Sequence, residues 1–301
     1  MQFETQITEK DSRKRIDQFV AEATSQSRTA IQKQIDAGRV KVDGKAITKT
    51  GYRLTTGENI QMPLAAAPRR GIIASDIPLN ILYEDDAMMV INKPAGIVVH
   101  PDTTGHQDNT IANAIVSHLK IKKPKDELRP GIVHRLDKDT SGALVIAKTP
   151  ESLRKLSNLF QKRKVHKTYW ALVKDYPKTT SGRISAPIQR DTKNRQQMAM
   201  HKQGKAAVTT FEIIENYGWC ALLKVNIETG RTHQIRLHLA GIGHPVLGDA
   251  TYGNKALNAR ALKELGLTRQ WLHAKELDLD GKHFSADLPD DLTHTLTLLN
   301  G

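Results

Sequence analysis

Apolar residues in this chain recur with two different periods, and the points where the period changes mark its elements. Ile16, Phe19, Val20 and Ala23 fall at i, i+3, i+4 and i+7, one face of a helix. A second helix follows, with Ser27 as its N-cap, Ile31 and Ile35 on one face and Gly38 as its stop. The period then drops to two: Val40 and Val42 alternate into Asp43-Gly44, a two-residue hairpin signal. Gly57-Glu58 turns the chain into a last short strand through Ile60 and Met62. Two helices and a hairpin close a unit over residues 1–62.

Residues 63–76, PLAAAPRRGIIASD, are rich in Ala and Pro, lack periodicity and read as a linker. The longer body, 77–301, is dominated by strand patterns. Met88 to Ile91 is strand-like and stopped by Pro94, and both ALVIAKT and KTYWALV read as strands. In the latter, Tyr169, Ala171 and Val173 share one face, and Trp170 and Leu172 the other. AAVTTFEII and CALLKVNIE continue the strand pattern. Helices are expected in NTIANAIVSHL, in TPESLRKLSNLFQKRKV with Leu153, Leu156 and Phe160 inward, and in THQIRLHLAGIG with Thr232 as its cap. Helices interrupt the strands irregularly, so the fold class is α+β, with a mixed and largely antiparallel sheet flanked by helices.

Charge sharpens this picture. Of 301 residues, 45 are Lys or Arg and 32 are Asp or Glu, a net charge of +13, which favours an anionic partner such as nucleic acid. Arg13, Arg15, Arg28, Lys33, Arg39 and Lys41 crowd the small first unit and are expected to form a phosphate-facing surface. The single Cys220 excludes an internal disulfide and suits a reducing cytoplasm. The polar start MQFETQITEK is unlike a signal peptide, and no apolar run reaches membrane-spanning length. A cytoplasmic protein without a membrane partner is expected.

Two segments carry candidate chemistry. In GIVHRLDKDTSGALVIAKT (131–149), an extended HRLD would point Arg135 and Asp137 to one side and His134 and Leu136 to the other. Thr140-Ser141-Gly142 would turn into the buried strand. A carboxylate beside a guanidinium is favoured in its charged form and can serve as nucleophile or general base. It can equally be a structural pair that closes a loop. The second segment, ETGRTHQIRLHLAGIGHPVLGDATYG (228–253), gathers Arg231, His233, Arg236 and His238 ahead of Asp249. The two histidines are five apart, on different helix faces, and there is no H-E-x-x-H, paired-cysteine or phosphate-loop motif, so neither a metal nor a nucleotide cofactor is expected.

SRTAIQKQIDAGRVKVDGKAI is similar to the S4 domain, a small RNA-binding module. GIVHRLDKDTSG, KTYWALV and TGRTHQIRLHLAGIGHPVLGD together resemble the three active-site motifs of the RluA family of RNA pseudouridine synthases. INKPAGIVVHP, GKAAVTTF and LHA resemble further family segments in the same order. After LHA the chain reads LDLDGKHF, where the family often has His-Pro. The resemblance implies an isomerase without cofactor or metal, acting on large-subunit rRNA or a pre-ribosomal particle, with helix 69 as the target; a monomer is expected. It implies that Asp137 acts at the ribose, that Arg231 pairs with it, and that Tyr169 stacks on the base. Beside these, Arg135 is expected to help extrude the base or fill the vacated stack, Ile235 or Leu237 to wall the base, and Lys167 and Arg236 to contact substrate. Two other readings exist. One is a non-catalytic RNA-binding protein of the ribosome-assembly type. The other is a metal-dependent nuclease using Asp137, Asp139 and Asp249.

Overall fold

A computed structural model describes residues 2–24, 26, 28–63, 72–101, 109–121, 130–192, 194 and 197–301. The chain divides into two compact units, Met1–Arg70 and Gly71–Gly301. The division falls within the expected linker, whose residues 64–71 lie outside the described part, as does the expected N-cap Ser27.

In the first unit β1 (Gln2–Gln6) precedes α1 (Ile16–Thr24) and α2 (Arg28–Asp36). Then follow β2 (Lys41–Val42), β3 (Lys45–Ala46) and β4 (Asn59–Pro63). The four strands pair in the order β1-β4-β2-β3. Asp43 and Gly44 both take positive φ, 47° and 79°, as a type I′ hairpin requires. Ile16, Val20, Ile31, Ile35 and Ile60 are fully buried together, which realises both helical faces read from the sequence. The added strand is β1, whose five residues alternate too weakly to stand out alone.

Two of the six expected RNA contacts are engaged inside this unit. Arg15 Nε and Arg28 Nε donate to the buried carboxylate of Asp17 at 3.0 and 2.9 Å, and Gln32 Nε2 donates at 2.8 Å. Burial alone would raise the Asp17 pKa, but these hydrogen bonds hold it well below the usual carboxylate range. Arg15 and Arg28 therefore tie α1 to α2. Arg13, Lys33, Arg39 and Lys41 are exposed and have no carboxylate partner among the described residues.

The second unit is a nine-stranded sheet with helices on both faces. It begins with β5 (Ile81–Glu84), β6 (Met88–Lys93), α3 (Ile111–His118), β7 (Ser141–Ala147), α4 (Pro150–Gln161) and β8 (His166–Lys174). It continues through β9 (Ser181–Ser185), β10 (Ile188–Arg190), β11 (Met198–Met200), β12 (Val208–Asn216) and β13 (Cys220–Ile227). It ends with α5 (Gln234–Gly241), α6 (Lys255–Leu265), β14 (Leu272–Leu279), β15 (Lys282–Ser285) and α7 (Asp290–Asn300). The strand order is β5-β6-β7-β14-β8-β13-β12-β9, with β15 paired to β14, while β10 and β11 form a separate hairpin. Among the described strands only β7 and β14 run parallel, so the sheet is mixed and largely antiparallel as expected.

Alternation along the strands builds two cores. Met89, Ile91, Leu144, Ile146, Tyr169, Ala171 and Val173 pack with Ile111 and Ile115 of α3 and Ile235 and Leu239 of α5. On the opposite face, Val90, Val145 and Leu156 form one cluster with α4, while Leu172, Leu222 and Trp271 form another with α6 and α7. All seven residues of β7 are buried, which makes it a rigid support for the loop before it. At Gly142 φ is 117°, and a Cβ there would lie 2.3 Å from the Ala274 carbonyl oxygen, so only glycine allows β7 to approach β14. The segment LDLDGKHF forms the β14–β15 hairpin, closed by Asp280 and Gly281 at φ 52° and 76°.

Candidate active site

Residues 132–139 form no regular strand, yet their side chains alternate as the sequence predicts: Leu136 is buried and Arg135 exposed. Val145 N–H donates to His134 Nε2 at 3.0 Å, and the imidazole stacks on Phe160 with centroids 4.7 Å apart. Burial, with Lys167 nearby, pulls the His134 pKa to about 3, so it is a neutral acceptor that pins the loop to β7. The turn comes two residues earlier than expected. Thr140 N–H donates to the Asp137 carbonyl at 3.2 Å, and Ser141 and Gly142 already belong to β7. Asp137 thus sits at the corner of a turn whose far side is a fully buried strand.

From below, Lys93 braces this corner. Its side chain is fully buried, and Nζ donates to the carbonyls of Pro94, Ile97 and Lys138 at 2.7, 2.9 and 3.1 Å. Burial draws its pKa down to about 7, against the pull of Asp139. The lysine of INKPAG therefore ties two loop segments, 94–97 and the one carrying Lys138, together beneath Asp137.

The guanidinium that holds Asp137 belongs to Arg236, not Arg231. Arg236 Nη1 donates to Asp137 Oδ2 at 3.0 Å. Its Nε and Nη2 grip Asp249 in a bidentate pair at 2.7 and 2.9 Å. Arg231 lies in the turn before α5, where Nε donates to the Ala206 carbonyl at 3.2 Å. The reason is helical geometry. Arg236 is on the first turn of α5 facing the sheet, 5% exposed, while Arg231 precedes the helix. Nor does Thr232 cap α5. The flanking residue is His233, in the left-handed region at φ 56° with no capping side chain. Gln234 holds the turn instead: its Oε1 accepts from Thr229 Oγ1 and Arg231 N, and its Nε2 donates to Val208 O.

Asp249 was not recognised from the sequence as the brace of the arginine. It is fully buried and also accepts from the backbone N–H of Thr251 and Tyr252 at 2.8 and 3.0 Å. Burial alone would raise its pKa, but Arg236 and the two amides keep it below its ordinary value. The only available signal was the Gly248-Asp249 turn after the helix.

Around Asp137 lies a cleft of about 640 Å³, lined by Arg135, Asp137, Lys167, Tyr169, Arg231, His233, Ile235 and Arg236 among others. A second cleft of about 340 Å³ shares Arg135, Asp137, His233 and Arg236 and adds Lys138, Thr251 and Arg269. Tyr169 is 6% exposed on the first cleft's wall, and burial with the Asp137 charge raises its pKa, so it remains a phenol. Lys167, on the same face of β8, has Nζ 5.7 Å from the Phe160 centroid and no carboxylate partner among the described residues. Burial lowers its pKa to about 8. Ile235 lines the cleft, whereas Leu237 packs away from it with Ile188 and Ala207. Leu237 is therefore a core residue and not part of the wall.

The site opposes the nuclease reading, because Arg236 fills the space between Asp137 and Asp249 that a divalent cation would need. Among the described residues no group of three His, Cys, Asp or Glu could hold a metal ion. The floor of the larger cleft thus holds one carboxylate on a guanidinium, beside a buried phenol ring and among the bases Arg135, Lys167 and Arg231.

Residues 87–241 match the family model described as RNA pseudouridylate synthase, and residues 14–60 match the S4 domain. The chain is 41% identical to an uncharacterized RNA pseudouridine synthase of Chlorobaculum parvum, over 92% of this chain and 91% of that protein. It is 40% identical to ribosomal large subunit pseudouridine synthase D of Vibrio cholerae, over 99% of this chain and 95% of that one. Human RNA Pseudouridylate Synthase Domain Containing 4 superposes with a TM-score of 0.60 at 28% identity, covering 73% of this chain and 93% of that structure. The chain belongs to the RNA pseudouridylate synthase family: it is an enzyme that isomerises uridine in RNA, with an S4 domain at its N-terminal end.

Proposed function

We propose that this enzyme modifies uridines of large-subunit ribosomal RNA, with Asp137 acting at the ribose of a flipped nucleotide. The observation that carries the reading is Asp137 held by Arg236 at the junction of two clefts, beside the ring of Tyr169. Forming pseudouridine breaks the N1–C1′ bond, turns the uracil and joins C5 to C1′. No atom is gained or lost, so the requirement is a positioned carboxylate, a surface to hold the free base, and exclusion of water. Attack on C1′ and removal of the C2′ proton both need the carboxylate at this position.

In this reading uracil lies in the larger cleft against Tyr169, with Ile235 as its apolar wall. Lys167 offers its ammonium to a backbone phosphate, and exposed Arg135 at the rim enters the stack that the base leaves. The likeness to proteins named for the large ribosomal subunit supports rRNA as the substrate. The resemblance of the motifs supports helix 69 as the target. The enzyme would act as a monomer in the cytoplasm, on rRNA or a pre-ribosomal particle.

The test is a map of pseudouridines in large-subunit rRNA from cells lacking this protein. Specific positions should lose the modification and regain it when the wild-type protein is returned. An unchanged map would turn the assignment towards another RNA. The exposed bases Arg13, Lys33, Arg39 and Lys41 make a second expectation. Deleting residues 1–62 should weaken RNA binding and flatten its salt dependence, because fewer counterions are released. The remaining unit has its own core and should keep its unfolding transition. Equal affinity across several salt concentrations would remove the module from the RNA interface.

A further inference from the structure

His233 lines both clefts with Asp137 and reaches the Tyr252 hydroxyl, yet the pairing of Asp137 with Arg236 does not use it. Its surroundings determine which ring nitrogen carries the proton. Met198 N–H donates to the Tyr252 hydroxyl oxygen at 2.8 Å, so that hydroxyl must send its own proton elsewhere. The Met198 carbonyl is distant at 3.4 Å, whereas His233 Nδ1 is 2.9 Å away. The shorter contact makes Nδ1 the acceptor, and a neutral imidazole then carries its proton on Nε2. Nε2 has no hydrogen-bond partner among the described residues and is not a buried, unsatisfied atom. It is therefore a donor open to the clefts.

Two further features fix this donor in place. The His233 ring stands edge-on to Tyr252, with centroids 5.6 Å apart and planes at 76°. The backbone at φ 56° turns the residue off the axis of α5, a conformation that His tolerates better than bulkier residues. Burial also holds the imidazole below its ordinary pKa, against the pull of Asp137, so the neutral form is the one present near neutrality.

We propose that His233 is a substrate-positioning residue whose Nε2–H donates to a ribose oxygen of the nucleotide drawn to Asp137. The inference rests on the reading of Asp137 as the group that acts at the ribose. His233 and Asp137 line both clefts, so the sugar of a base held in the larger cleft would lie against both. The phosphate chain would then leave through the smaller cleft past Lys138 and Arg269.

Two substitutions separate this role from a strut for Tyr252. In His233→Gln the side-chain amide reaches the place of Nε2. In His233→Asn the amide reaches only the place of Nδ1, keeps the Tyr252 contact and tolerates the left-handed backbone. The assay is tritium release from in vitro-transcribed large-subunit rRNA carrying C5-tritiated uridine, with RNA affinity measured alongside. His233→Asn should lose about three- to tenfold in kcat, the size of one neutral hydrogen bond, with little change in RNA affinity. His233→Gln should stay within about threefold of wild type on the same scale. Wild-type rates in both variants would overturn the inference. So would a defect in Gln alone, which marks a strut, or equal loss in both, which marks a role for the imidazole itself. Asp137→Asn, run in parallel, keeps the two readings apart. If it is inactive while the His233 variants behave as wild type, only the histidine role fails. If it is active, the reading of Asp137 fails as well.

Discussion

Asp137→Asn should leave an enzyme that folds and binds RNA but forms no pseudouridine. Asparagine keeps the size of the side chain and an oxygen that accepts from Arg236 Nη1, now at 3.0 Å from the carboxylate. The arginine retains its bidentate pair with Asp249, so the buried guanidinium is not left without a counter-charge. Stability should therefore change little, because the 17% exposed Asp137 side chain is the less buried partner. What disappears is the negative charge at the ribose. Tritium release from C5-labelled uridine follows the reaction, since C5 loses its hydrogen as it bonds C1′, whereas total RNA mass does not change. Residual turnover within about tenfold of wild type, a barrier difference of about 1.4 kcal/mol, would sink the assignment.

Arg236→Met should cost both folding stability and activity. Methionine fills similar space but leaves Asp249, whose side chain is 0% exposed, as a buried charge without its partner. Breaking such a pair from one side typically destabilises by about 3–5 kcal/mol. The pH dependence carries a sign. In the wild type the folded pKa of Asp249 lies below its unfolded value. Its contribution is thus present above the unfolded carboxylate range and is lost as pH falls through the folded pKa. Without Arg236, burial is opposed only by two amides and the pKa should rise above about 3.9. The variant should then be penalised most near neutrality, and the gap to wild type should narrow towards about pH 4. Urea unfolding at both pH values measures this. A gap under about 1 kcal/mol at neutrality would show that the Arg236–Asp249 pair is not what holds α5 to the Gly248 turn. Arg231→Ala, by contrast, removes an exposed contact to one carbonyl and should change stability by only about 0.5 kcal/mol.

Local periodicity was sufficient for most of the elements. The α1, α2 and α4 faces, the Asp43-Gly44 turn, and the alternation of Tyr169, Ala171 and Val173 against Trp170 and Leu172 all depend on neighbours within one or two turns of chain. A helix or strand buries one face whatever it packs against, so the pattern is written along the sequence itself. The α+β class and the antiparallel character of the sheet follow from the same order of elements. The two chemistry-bearing segments were also legible, because loops that gather His, Arg and Asp beside a buried strand are unusual in composition.

Pairings between distant residues were settled only by the tertiary structure. Arg231 and Arg236 lie on one short segment with the same side-chain chemistry, and nothing local distinguishes which reaches Asp137, ninety-nine residues away. The choice depends on where α5 begins. His233 in the left-handed region starts the helix after Arg231 and turns Arg236 onto the sheet. For the same reason Leu237 falls into a core with Ile188, while its neighbour Ile235 faces the cleft. Arg15 and Arg28 look like phosphate contacts by charge alone, until Asp17 packs between them. In each case the sequence by itself determined the kind of group and the element that carries it. The fold decided its partner, because a side chain's charge acts on whatever the packing brings within a few ångströms.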